Sequence, residues 1–192
     1  IDTAYSSDGD IYLLRTVDIN HDEHPDLLSV AEQSIDLWLG QGNGTFQFFA
    51  NTLYDPFVGF ALSVPPKDIV YSDLNLDDHD DIAIFVGNSL QIFLAAGSGA
   101  FQFPLALQFG SGGGSVQPSL VVADFNYDGF PDIAVSFAGV GPYLTVVHGA
   151  ADRVDFITRT WLTPQGSFPV AMADVDKDGY LDIVQAYPQV AF

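Results

Sequence analysis

The chain has 192 residues, 48% hydrophobic and 14% aromatic, which is enough apolar material for one sizeable core and too much for a disordered acidic tail. Its formal charge of −20 sets 25 acidic residues against five basic ones, Arg15, Lys67, Arg153, Arg159 and Lys177, so nucleic acid and anionic membrane surfaces are poor partners, because phosphate surfaces are met through Lys and Arg, and no nucleic-acid partner or membrane insertion is expected. With no cysteine there is no disulfide framework, thiolate metal site or cysteine nucleophile, and no apolar run has the length of a membrane-spanning helix.

Residues 1–6 read as the end strand of a neighbouring or closing unit. A strand predicted over 13–19 leads into the acidic loop 18–26, and strands over 27–31, 34–39 and 45–54 follow, the last two joined by the Gly-rich turn 40–44. The same order returns as a strand over 69–74, the loop 73–81, and strands over 82–86, 90–94 and 101–109 with a turn at 97–99. It returns again as 120–125, the loop 124–132, 133–137, 143–147, the turn 149–152 and 154–162. The last repeat supplies 170–175, the loop 174–182 and 183–186. The connections Pro65-Pro66 and 110–118 are rich in Gly and Pro; the second is read as a connection between repeats rather than an interdomain linker, because the period continues through it. No helix of useful length is predicted.

In the third loop, Asp124-Phe125-Asn126-Tyr127-Asp128-Gly129-Phe130-Pro131-Asp132, short oxygen-bearing side chains occupy alternate positions before a glycine and a ninth-position Asp. Ca²⁺ takes about six to eight oxygen ligands at roughly 2.3–2.6 Å, and alternate residues of a curled loop can all turn oxygens inward. The pattern occurs four times, starting at Asp18, Asp73, Asp124 and Asp174, and it absorbs 13 of the 23 Asp residues. Like charges at 4 Å repel by about 4 kcal/mol per pair at an effective dielectric near 20, so such clusters call for a cation. Four Ca²⁺ would reduce the charge from −20 to −12. An EF-hand shares positions 1, 3 and 5 but needs a bidentate Glu at position 12; Ser29, Ile84, Val135 and Gln185 stand there, so that alternative fails.

The loops begin 55, 51 and 50 residues apart, a period typical of repeat architectures. Four short antiparallel strands per period predict an all-β chain, a β-propeller of four-stranded blades with about four repeats present, as a whole or as part of a larger propeller. The repeats fall at 7–60, 61–110, 111–163 and 164–192, in a single region spanning 1–192.

The third loop with Ile133, and the fourth, Asp174-Val175-Asp176-Lys177-Asp178-Gly179-Tyr180-Leu181-Asp182 with Ile183, match in full the motif Asp-x-Asp/Asn-x-Asp-Gly-x-x-Asp-Ile/Leu. In this the chain resembles the FG-GAP or VCBS repeat family, known from the seven-bladed propeller of integrin α subunits and from many secreted and surface proteins. The resemblance implies side-chain ligands at Asp18, Asn20, Asp22 and Asp26; at Asp73, Asn75, Asp77 and Asp81; at Asp124, Asn126, Asp128 and Asp132; and at Asp174, Asp176, Asp178 and Asp182. It implies backbone carbonyl ligands at His24, His79, Phe130 and Tyr180. The first two loops carry Glu23 and Asp78 where the motif has Gly. If that position requires positive φ, Asp tolerates it moderately and Glu less well, which predicts weaker calcium at the first loop than at the third and fourth.

Other residues point to less. His21, His24 and His79 lie in acidic loops at no zinc-ligand spacing and read as solvated. His148 reads as a strand end, and Trp38, Trp161 and the Phe residues as packing, with sugar stacking as their alternative role. No catalytic constellation is found, and no enzyme is predicted. Asn43-Gly44-Thr45 is an N-glycosylation sequon in a turn. These observations predict an extracellular calcium-binding adhesion or recognition module with a protein or glycan ligand. A carbohydrate-binding module, the non-catalytic part of a polysaccharide-active enzyme and a self-assembling subunit are its alternatives.

Overall fold

The apolar runs on either side of each acidic loop form the first two strands of an antiparallel sheet. The computed structural model describes residues 11–31, 35–51, 66–95, 101–102, 105–109, 118–139, 141–149, 158–162 and 170–185. The first sheet contains β1 (Ile11–Val17), β2 (Asp26–Ala31), β3 (Ile35–Gly40) and β4 (Phe46–Asn51), in that spatial order. The second contains β5 (Pro66–Ser72), β6 (Asp81–Val86), β7 (Ser89–Phe93) and β8 (Leu105–Gln108). The third contains β9 (Ser119–Ala123), β10 (Asp132–Gly139), β11 (Gly141–Val147) and β12 (Thr158–Leu162), and the fourth pairs β13 (Val170–Ala173) with β14 (Asp182–Gln185). Among the described residues all regular structure is strand. The expected end strand at 1–6 and the turn at 97–99 lie outside them, as does most of the connection 110–118.

Every loop closes a hairpin in one register. Val17 pairs with Asp26, Ser72 with Asp81, Ala123 with Asp132 and Ala173 with Asp182. The ninth-position Asp is thus the first rung of the second strand.

The centre of the structure is β6, Asp-Ile-Ala-Ile-Phe-Val, buried at all six positions. Alternate side chains of a strand face opposite ways, and here both faces are covered. Ile82, Ile84 and Val86 join Val17, Leu28, Val30, Leu37, Ile69 and Phe93 in a layer shared with the first sheet. Ala83 and Phe85 join Leu90, Ile92, Leu120, Ile133, Val135 and Val147 in a layer shared with the third. Each fully buried aliphatic side chain contributes about 1.5–3 kcal/mol, which is why this strand reads as a continuous apolar run rather than an alternating one.

Successive sheets meet through their first strands, β1 on β5, β5 on β9 and β9 on β13. Asp68 Oδ2 accepts from the Leu120 N–H at 2.8 Å, and its Oδ1 lies 3.4 Å from Arg15 Nη2. One repeat on, Ser119 Oγ accepts from the Val170 N–H at 3.2 Å. Asp68 and Ser119 both stand five residues before a loop, so the same position ties the second sheet to the third and the third to the fourth. The Tyr71 hydroxyl donates to the Thr16 carbonyl at 2.8 Å, and Gln185 Nε2 donates to Ser136 Oγ at 2.7 Å.

This arrangement corrects the expected β-propeller, with its four-stranded blades and its larger seven-bladed form. The described strands make four separate small antiparallel sheets, none closed into a barrel or curled into a propeller blade. The physical reason lies in how the sheets end: the described sheets follow one another from the first to the fourth through β1, β5, β9 and β13, and no hydrogen-bonded ladder among the described residues joins the fourth back to the first to close a ring.

Candidate metal centres

The four loops share one backbone conformation. Position 4 has positive φ in each, at His21 (55°), Leu76 (59°), Tyr127 (60°) and Lys177 (62°), and so does position 6, at Glu23 (66°), Asp78 (66°), Gly129 (96°) and Gly179 (93°). The sixth position therefore does require the left-handed region, and the two non-glycine residues occupy it at a cost of about 1–2 kcal/mol each. The strain at position 4 left no sign in the sequence, where His, Leu, Tyr and Lys share no such preference.

Side-chain oxygens hold this conformation by the same bonds in all four copies. The first Asp accepts the N–H of position 5 on one oxygen and of position 6 on the other: Asp18 from Asp22 and Glu23, Asp73 from Asp77 and Asp78, Asp124 from Asp128 and Gly129, Asp174 from Asp178 and Gly179, at 2.9–3.2 Å. Asn20, Asn75, Asn126 and Asp176 accept from the same fifth-position N–H. Asp22, Asp77, Asp128 and Asp178 accept from the amides of His24, His79, Phe130 and Tyr180. The three Asn side chains also donate Nδ2–H to the fifth-position carboxylate, while their Oδ1 takes the fifth-position N–H.

The ninth Asp does a second job. Asp26, Asp81 and Asp132 are fully buried. One oxygen accepts from position 2, namely Ile19, Leu74 or Phe125, at 2.9 Å. The other accepts from Gly40, Ala95 or Gly149, at or just past the end of the third strand, at 2.7, 2.7 and 2.9 Å. Asp182 keeps the bond from Val175 at 3.0 Å and is only half-buried. Burial pushes the Asp81 carboxyl up to about 7, against the pull of the Ala95 and Leu74 amides. Asp26 is raised for the same reason, and Asp80 is raised by burial with His21 opposing. Asp22, at the surface, is held below the usual range by the His24 N–H.

The donors are oxygens throughout, a hard set suited to Ca²⁺ rather than to a soft metal. In the fourth loop one carboxylate oxygen from each of Asp174, Asp176 and Asp182 lies within 4.8 Å of the others. Asn at the third position of the other loops places a neutral carbonyl oxygen where Asp176 has a charged one. His21 lies 3.9 Å from Asp80 Oδ1, and the His24 ring packs on the Gly42 turn. The acidic group of the fourth loop contains no histidine.

His148 carries more than a strand end. It follows β11, with Nδ1 3.1 Å from Asn126 Nδ2 and 3.3 Å from Asp132 Oδ1. It therefore supports two residues of the third loop from 16 or more positions away, a contact with no local signal in the sequence.

Fold and loops together define a repeat protein with one acidic hairpin loop per sheet. The model of the FG-GAP-like repeat matches residues 18–69 and 73–135, more than half of the chain, and the chain belongs to that family. FG-GAP repeats are a structural and adhesion family rather than a catalytic one. Among solved structures, a Photorhabdus luminescens Tc holotoxin pore is similar over 81% of this chain with a TM-score of 0.52 and 21% identity, a likeness of fold alone. This chain spans about 6% of the length of that one. No curated protein matches the chain.

Proposed function

We propose that the chain is an extracellular calcium-binding recognition or adhesion module in which the ion is structural, and that its four repeats act as one unit. The observation that carries this reading is the recurrence of a single loop conformation, closed by the same amide bonds in all four repeats, with the Asp174, Asp176 and Asp182 carboxylates of the fourth brought within 4.8 Å of one another. The ions would be held by the first, third, fifth and ninth side chains and by the carbonyls of His24, His79, Phe130 and Tyr180. The ion supplies charge neutralisation where several carboxylates converge; the chain supplies loops already closed by backbone bonds. Family membership supports an extracellular setting, where millimolar calcium fills even weak sites. Among the described residues no helix is long and apolar enough to cross a membrane.

Removing calcium with a chelator should lower the melting temperature by more than about 10 °C, since each saturated site adds about 2–3 kcal/mol and each kcal/mol is worth about 2–4 °C in a chain of this size. An unchanged melt would refute the reading.

A glycan ligand is supported by one feature. Phe46 and Phe48 stand two apart on the outer strand β4, both partly exposed, with Trp38 edge-on to Phe48 at 4.8 Å. Stacking on sugars uses such aromatic strips. A glycan array on wild type and Phe48→Ala tests it: selective binding lost in the variant supports a glycan ligand, and silence favours a protein partner.

A further inference from the structure

We propose that Tyr127 couples the third and fourth loops, so that calcium in either raises the affinity of the other; this rests on the calcium reading above. Tyr127 is the fourth residue of the third loop, with φ 60°, between the oxygen donors Asn126 and Asp128. Its side chain crosses to the fourth loop. The hydroxyl donates to the Gly179 carbonyl at 2.9 Å and accepts from the Leu181 N–H at 3.0 Å, and its ring meets Tyr180 edge-on at 4.9 Å.

Those contacts bracket Tyr180, the seventh residue of the fourth loop. Gly179 and Tyr180 are also the residues whose N–H groups hold Asp174 and Asp178. Whatever fixes the third loop's backbone fixes the aim of Tyr127, and Tyr127 in turn fixes the segment that positions the fourth loop's carboxylates. Tyr127 is a positioning residue, since its own side chain supplies no oxygen to either turn's interior.

The same step recurs earlier in the chain in weaker form. His21, also a fourth-position residue, reaches Asp80 at the eighth position of the next loop at 3.9 Å, as Tyr127 reaches Leu181. Leu76, the fourth residue of the second loop, has no polar group to extend to the third. The loops are therefore linked in two pairs, with the tighter link between the third and fourth.

The test is a calcium titration followed by the Gly129 and Gly179 amide resonances, which report the two loops separately. Wild type, Asp124→Asn and Asp174→Asn are measured alone and combined with Tyr127→Phe, which keeps the ring and removes both hydroxyl bonds. Asp124→Asn should weaken the fourth loop by about fivefold or more, and Asp174→Asn should weaken the third by the same factor, because coupling is reciprocal. With Tyr127→Phe present both effects should shrink to about twofold or less. If Tyr127→Phe lowers both affinities alike and leaves the interaction between the loops unchanged, its role is merely structural and the proposal is overturned. Calcium bound at both loops with no effect of Asp124→Asn on the fourth overturns it too. If neither resonance responds to calcium in wild type, the calcium reading fails, and the coupling with it.

Discussion

The second and fourth loops share their backbone bonds and sit in opposite surroundings. The second opens into β6, buried on both faces, and its ninth residue Asp81 has no exposed surface. The fourth projects from a two-stranded described sheet, with residues 171–181 exposed. The same five amide-to-side-chain bonds within both loops show that the loop conformation is written into its nine residues and does not depend on what the sheet packs against. What burial changes is the cost of the charge: it lifts Asp81 to about 7. In the second loop, ion binding and the stability of the core are one matter; in the fourth, the ion acts on a local segment.

Removing the ninth carboxylate breaks this comparison most directly. In chelator, Asp81→Ala leaves the Leu74 and Ala95 amides without an acceptor inside the core, and each buried unsatisfied donor costs about 1–3 kcal/mol. A loss of about 4 kcal/mol is expected by denaturant unfolding. Among the described residues Asp182→Ala frees one donor, the exposed Val175 amide, and should cost about 1 kcal/mol or less. Equal losses would mean that the loops do not differ as described.

A pH series gives a smaller effect of definite sign. Asp81 is raised from the ordinary 3.8 to about 7, and Asp26 and Asp80 are raised with it. The folded state then holds these protons more tightly than the unfolded chain. The resulting stability is fully present below about pH 4 and is lost as pH rises through 7. In chelator the melting temperature should fall between pH 5 and 8. With saturating calcium the order should reverse, because the ion favours the ionised carboxylates. A rising melt in chelator over that range would contradict the burial argument.

The smallest expected effect is a gain. Glu23→Gly relieves the left-handed strain at φ 66° and adds some backbone freedom to the unfolded chain. It should stabilise by about 0.5–1 kcal/mol in chelator and tighten calcium at the first loop, as followed by equilibrium unfolding and titration.

Much of this was legible in the sequence because its causes are local. Asp18 bonds to amides four and five residues away, so the loop spacing repeats wherever the nine residues do. The strands beside each loop were marked by apolar runs. The first rung was missed in each case: an Asp looks like a loop residue, yet Asp81 opens β6 because both its oxygens meet backbone amides inside the sheet. The arrangement of the sheets was misread for a different reason. Strand count and period say what each repeat forms, whereas the relation between sheets depends on contacts some 50 residues apart, such as Asp68 to Leu120 and Ser119 to Val170. The contacts of Tyr127 and His148 have no sequence signal on the same grounds, since each acts on a partner that only the fold brings near.

The most direct test of the account is calorimetric titration of the calcium-free chain at pH 7.5, in wild type and in four variants, Asp18→Asn, Asp73→Asn, Asp124→Asn and Asp174→Asn. Saturable binding of up to four calcium ions, with one ion lost or weakened in each variant and the first loop weaker than the third and fourth, is the predicted result. No binding heat in wild type at millimolar calcium, or a stoichiometry that none of the four substitutions alters, would contradict it.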